Sequence, residues 1–87
     1  MPYFIAVYDV NQKRVGKMLK IFRRYLTWIQ NSVFEGELTH AQFKALQIDA
    51  EKLMQEGDGV VFYQMRDERY LERTALGNDK AERSRFL

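Results

Sequence analysis

Asp9 ends the apolar run Tyr3-Phe4-Ile5-Ala6-Val7-Tyr8, and the segment after it keeps its basic residues apart from its apolar ones. A carboxylate at the C-terminal end of a buried strand is a hard oxygen donor suited to a divalent cation, and such a cation polarises a phosphate. At about 100° per residue, Lys13, Lys17, Lys20 and Arg24 fall within about 60° of one another on a helix, with Val15, Leu19, Phe22 and Leu26 roughly opposite. One face is built for a core and the other for negative charge. Acidic residues three or four positions away, which would neutralise a merely solvated face, are nearly absent from this stripe. Carboxylate and stripe together point to metal-assisted chemistry on a polyanion.

One chain offers Asp9 alone at a strand end, because Asp58 and Asp79 fall in segments that the sequence does not place beside it. Mg²⁺ demands a near-octahedral oxygen shell, so a single carboxylate is a poor site. Two copies of Asp9 facing each other across a two-fold axis make a usable one, with phosphate oxygens completing the shell. The competing role for Asp9 is to cap the helix that follows. Arg14 is a candidate phosphate holder, while Lys13, Lys17, Lys20, Arg23 and Arg24 suit backbone contacts that position a nucleic acid without reading its sequence. Tyr8 sets a phenol next to Asp9, with packing in the core or a dimer equally open to it. Trp28 is most simply a core or interface anchor. His40 is the single histidine and follows a capping Thr39, so it belongs to the surface, and cleavage by a histidine pair is excluded within one chain. Glu35 and Glu37 alternate on a strand and are expected to be solvated.

The elements that must hold these groups follow from periodicity and punctuation. Residues 3–9 read as a strand. Asn11 or Asp9 caps a helix over about residues 12–26, in which Gly16 lowers helix propensity and permits a close approach to backbone or phosphate. Residues 28–38 are rich in β-formers around Asn31-Ser32 and make either one bent strand or two short ones joined tightly. Thr39 with Gln42 forms a capping box for a second helix near residues 40–56, with Phe43, Leu46, Ala50 and Leu53 facing the core. Gly57-Asp58-Gly59 stops that helix, Gly59 to Met65 is a strand, and residues 70–77 form a further short one. The order gives an α+β fold, the ferredoxin-like β-α-β-β-α-β plan, with an antiparallel sheet covered on one face by two helices. Residues 1–77 make a single domain and residues 78–87 a charged tail. The uncovered sheet face is expected to be apolar and to pair with a second copy, giving a homodimer.

Composition narrows the class. With 46% hydrophobic residues the chain is a folding one. The absence of cysteine excludes disulfides, thiolate zinc sites and thiol nucleophiles, and favours a cytoplasmic protein. No apolar run reaches the roughly 20 residues that span a bilayer, and the first residues lack the pattern of a signal peptide, so no membrane partner is expected. The net charge of +2 conceals an asymmetry: residues 1–30 carry six Lys/Arg against one Asp, residues 31–87 eight against eleven Asp/Glu. Positive potential is therefore concentrated in the first helix rather than spread over a generally basic protein.

Tyr8-Asp9-Val10, Arg14 with Lys17 and Lys20, and above all the run from Tyr25 through Trp28-Ile29-Gln30-Asn31-Ser32-Val33-Phe34-Glu35-Gly36 to Thr39 resemble the small CRISPR-associated adaptation protein, the Cas-two family. The likeness extends from the first strand to the Val60–Met65 strand, and the Gln-Asn-Ser-Val-Phe-Glu-Gly run is its specific part. The resemblance implies a ferredoxin-like homodimer that binds RNA or DNA. It also implies a metal-dependent endonuclease using Mg²⁺ or Mn²⁺ at Asp9, an activity present in some members and absent in others. By the same resemblance, Ser32 and Phe34 line the site beside Tyr8, and Phe34 either packs on a base or belongs to the core. A further family role is structural, as a non-catalytic DNA-binding scaffold bridging copies of the larger adaptation integrase during acquisition of new spacers.

Overall fold

The structure is a computed structural model and describes residues 1–77; the charged tail of residues 78–87, with Asp79, lies outside the described residues. Strand β1 (Tyr3–Asp9) is followed by helix α1 (Gln12–Arg23), strands β2 (Thr27–Gln30) and β3 (Val33–Glu37), helix α2 (His40–Leu53) and strand β4 (Gly59–Met65). The strands form one antiparallel sheet in the order β2-β3-β1-β4, with β1 paired to β3 on one side and β4 on the other. Both helices pack on one face, which is the ferredoxin-like plan expected from the sequence.

Residues 28–38 resolve into two strands rather than one bent strand. Asn31, at φ 46°, supplies the left-handed residue that a tight hairpin turn needs and that asparagine tolerates better than most side chains. A bulge between Trp28 and Gln30 adjusts the register of β2 against β3. Helix α1 stops at Arg23 rather than Leu26, because Leu26 turns inward to 7% exposure and the Tyr25 hydroxyl donates to Asp49 of α2 at 2.7 Å. Helix α2 begins with the capping box: Gln42 N–H donates to the Thr39 hydroxyl and Thr39 N–H to the Gln42 side chain. It ends at Leu53, where Met54 adopts an extended backbone. No strand forms over residues 70–77; a single 3₁₀ turn at Glu68–Tyr70 is followed by irregular chain.

The core lies between the sheet and the helices. Phe4, Phe34 and Ala6 meet Met18 and Phe22 of α1 and Leu46 and Ala50 of α2, all essentially inaccessible. Phe22 is its aromatic centre, with ring centroids 5.2 Å from Tyr8 and 5.4 Å from Phe34. Met18, not Val15, fills the α1 side of this core; Val15 is left 40% exposed at the margin of the apolar stripe. Phe43 and Leu53 pack against the cluster from the partly buried rim.

Candidate metal and nucleic-acid site

Asp9 is the last residue of β1 and lies opposite Gly59, the first residue of β4. Strand alternation turns Phe4, Ala6 and Tyr8 under the helices and Tyr3, Ile5, Val7 and Asp9 to the opposite face. On that face Val7 pairs with Val33 and Val61, and Ile5 with Tyr63. Val7, Val61 and Tyr63 are 36%, 52% and 58% exposed, an apolar patch that nothing among the described residues covers. The other end of the same face is sheltered: Tyr3 and Glu35 are buried, and the Arg73 guanidinium reaches to 3.8 Å from the Glu35 carboxylate. Glu35 is thus not solvated as its alternation suggested, because chain beyond β4 returns over it; Glu37 is exposed as expected.

The Asp9 carboxylate is exposed and makes no hydrogen bond or ion pair among the described residues. The capping role falls to Asn11, whose Oδ1 accepts the Lys13 N–H at 2.9 Å. Asp9 is left chemically available. The hairpin turn sits beside it, since the Ser32 carbonyl accepts the Tyr8 N–H at 3.2 Å, and Ser32 is half-buried there.

Three residues expected at the nucleic-acid surface are committed elsewhere. Tyr8 is 4% exposed, and burial pushes its phenol pKa up, with the positive charge of Arg23 pulling partly the other way. Phe34 is fully buried against Phe22 and Tyr8 and has no face left for a base. Arg14 is bound to Asp58, Nε to Oδ2 at 2.7 Å and Nη2 to Oδ1 at 2.9 Å, and so does not stand free as a phosphate holder.

Asp58, placed by the sequence only as part of a helix stop, is a neighbour of this site. Its carboxylate accepts the backbone N–H of Asn11 and of Gln55, each at 2.9 Å, besides the Arg14 fork. Its side chain is 2% exposed. The guanidinium and the two amides hold it well below the usual carboxylate range. An aspartate set between two glycines just ahead of a strand was the one signal in the sequence, because such a side chain readily bonds nearby backbone.

Lys13, Lys17, Lys20 and Arg24 are all exposed, while α1 turns Met18 and Phe22 to the core. The basic stripe therefore lines the outer surface of the helix layer and Asp9 points from the opposite face of the sheet. The two were expected side by side; they approach only at the sheet end, through the short connection from Asp9 to Lys13. Arg23 lies over the Trp28 ring, 5.5 Å from its centroid, and Trp28 donates its indole N–H to the Asn31 carbonyl at 2.9 Å, bracing the hairpin. Gly16 is not a close approach within the fold, since a Cβ there meets nothing within 4 Å. His40, the first residue of α2, is exposed.

No group of three or more His, Cys, Asp or Glu side chains converges among the described residues. An exposed, unpaired carboxylate is the right donor for a hard cation, but one chain brings one ligand. Asp9 could therefore serve a divalent cation only together with oxygen donors from outside this chain.

Fold and strand-end carboxylate define a ferredoxin-like protein with an unfinished sheet face. Residues 1–73 match the family described as CRISPR associated protein Cas2. The chain is 50% identical to the CRISPR-associated endoribonuclease Cas2 of Dictyoglomus turgidum, covering 98% of this chain and 99% of that one. It is 47% identical to the protein of the same name from Thermotoga maritima, covering 92% and 93% of the two chains. A solved structure titled as the crystal structure of Cas2 superimposes with a TM-score of 0.84 at 40% identity, covering 92% of this chain and 91% of the other. Cas2 of Streptococcus pyogenes gives 0.69 at 28% identity, over 84% and 99%. The chain belongs to the Cas2 family. No helix among the described residues is long and apolar enough to cross a membrane.

Proposed function

We propose that this protein is a metal-dependent endonuclease of the CRISPR adaptation machinery, cleaving phosphodiesters of RNA or DNA as a homodimer in the cytoplasm and taking part in acquisition of new spacers. The observation that carries the reading is Asp9: a carboxylate that is exposed and unpaired among the described residues, at the edge of an apolar face of Val7, Val61 and Tyr63 that none of those residues covers. A second copy seated on that face buries the patch and brings a second Asp9 to the same cleft. Two facing carboxylates would hold Mg²⁺ or Mn²⁺, which when bound supplies Lewis-acid polarisation and charge neutralisation of the scissile phosphate. Relatives named endoribonucleases at 50% and 47% identity support the nuclease class. Lys13, Lys17, Lys20 and Arg24 hold backbone phosphate, with Arg23 at their flank.

A second reading is favoured by the separation of stripe and carboxylate. A basic surface facing away from Asp9 suits a non-catalytic scaffold that carries DNA while bridging copies of the larger adaptation integrase. One assay separates the two: cleavage of RNA and DNA with and without Mg²⁺ or Mn²⁺, for the parent and for Asp9→Asn. The nuclease cleaves only with metal and loses cleavage, not binding, in Asp9→Asn. Binding without cleavage by the parent selects the scaffold.

A further inference from the structure

Asp58 sits where three chain segments meet. Asp9 pairs with Gly59, so the residue before Gly59 lies at the end of the sheet where β1 gives way to α1. From there its carboxylate takes the Asn11 N–H on the far side of Asp9, the Gln55 N–H from the chain leaving α2, and the Arg14 guanidinium from the first turn of α1. With the side chain almost inaccessible and both oxygens doubly engaged, the Asx acceptor, the fork and the strand pairing fix the main chain on both sides of Asp9.

We infer that Asp58, clamped to Arg14, is a positioning residue that sets the backbone of the turn between Asp9 and helix α1, and with it the placement of the Asp9 carboxylate. The inference rests on the proposed role of Asp9 as a metal ligand. Bonds from a bidentate guanidinium and from two amides to one carboxylate are charge-assisted and directional, which suits them to hold a ligand-bearing turn rather than merely to add stability. Asp58 does not touch the Asp9 carboxylate, so it acts on that ligand only through the main chain it fixes.

The test compares five full-length proteins: parent, Asp9→Asn, Asp58→Asn, Arg14→Gln and Tyr25→Phe. Tyr25→Phe removes the equally short side-chain bond to Asp49 between helix α2 and the end of α1, away from Asp9, and serves as the control for stability. Read for each are Mn²⁺ affinity in the absence of nucleic acid, amide hydrogen exchange over residues 9–11, nucleic-acid affinity, and cleavage. Arg14→Gln covers the case in which Asp58→Asn fails to fold, since it leaves both backbone bonds to Asp58 in place.

The expected result is faster exchange over residues 9–11 and lower Mn²⁺ affinity in Asp58→Asn, with Arg14→Gln in the same direction. Nucleic-acid affinity stays within about twofold and cleavage falls with metal affinity, while Tyr25→Phe keeps parental exchange, metal affinity and cleavage despite its lost bond. Parental Mn²⁺ affinity and exchange in both clamp variants overturn the inference while leaving Asp9 as ligand intact. Parental Mn²⁺ affinity in Asp9→Asn overturns the reading of Asp9 itself, and the inference with it.

Discussion

The two faces of the sheet differ in how far one chain completes them. On the helix side Phe4, Phe34, Phe22, Met18 and Leu46 close a core with no exposed atom of consequence. On the other side nothing among the described residues covers Val7, Val61 and Tyr63, and Asp9, an exposed carboxylate without a hydrogen bond or ion pair among those residues, stands at their border. The covered face accounts for folding. The open face adds little to that core, and the proposed role of its residues depends on a second copy seated on it.

Removing the anchor of the covered face has the largest expected effect on stability. Phe34→Ala leaves a cavity beneath Phe22 and Tyr8 and costs about 3–5 kcal/mol, read as a shift in the urea midpoint. If Phe34 served a nucleic acid instead, the loss would appear in binding and not in the midpoint.

On the open face the response is the opposite. Val61→Asp together with Tyr63→Asp adds charge to an already exposed surface and changes the stability of the isolated chain by no more than about 0.5 kcal/mol per site. Sedimentation at micromolar concentration is expected to find this variant monomeric where the parent is dimeric, and metal-dependent cleavage is expected to fall with the dimer. A variant that stays dimeric moves the interface off this face.

A smaller change is expected at the outer surface of α1. Replacing Lys17, Lys20 and Arg24 together by glutamine weakens binding almost equally for unrelated sequences and lowers the salt slope by about 0.9 per lost duplex phosphate contact. Because the stripe faces away from Asp9, Mn²⁺ affinity stays parental. A fall in metal affinity would show that stripe and carboxylate share one surface after all.

The smallest effect is the acid limb of stability. The folded Asp58 carboxyl titrates below its unfolded value, so its contribution is fully present above the ordinary aspartate range near pH 4 and is lost as pH falls toward the folded value. Urea midpoints of the parent therefore drop through that window more steeply than those of Asp58→Asn. Parallel curves would mean that the clamp is not formed in solution.

The topology was legible because local signals agreed with one another. The apolar run 3–8, the capping box at Thr39 and Gln42, and the glycines around Asp58 each announce an element or its end. The place of Asp9 at the end of β1 was legible for the same reason, as a charge closing an otherwise apolar strand. What the sequence could not carry was direction in space. Periodicity shows that Lys17 and Phe22 lie on opposite sides of a helix, but not that this turns the stripe away from Asp9. Nor does alternation tell which strand face a later segment will cover, so Glu35 read as solvated and is buried beneath Arg73. Tyr8, Phe34 and Arg14 share the specific motifs yet serve packing and the clamp, because the pairing that claims them comes from residues far along the chain.

The central claim is that one chain supplies half of a metal site on a face completed by its twin. Mn²⁺ titration with parallel measurement of mass tests it most directly. The account predicts a dimer that binds one ion per two chains, with that binding lost in Asp9→Asn while the dimer persists. A monomer that binds Mn²⁺ tightly, or a dimer whose binding survives Asp9→Asn, would contradict it.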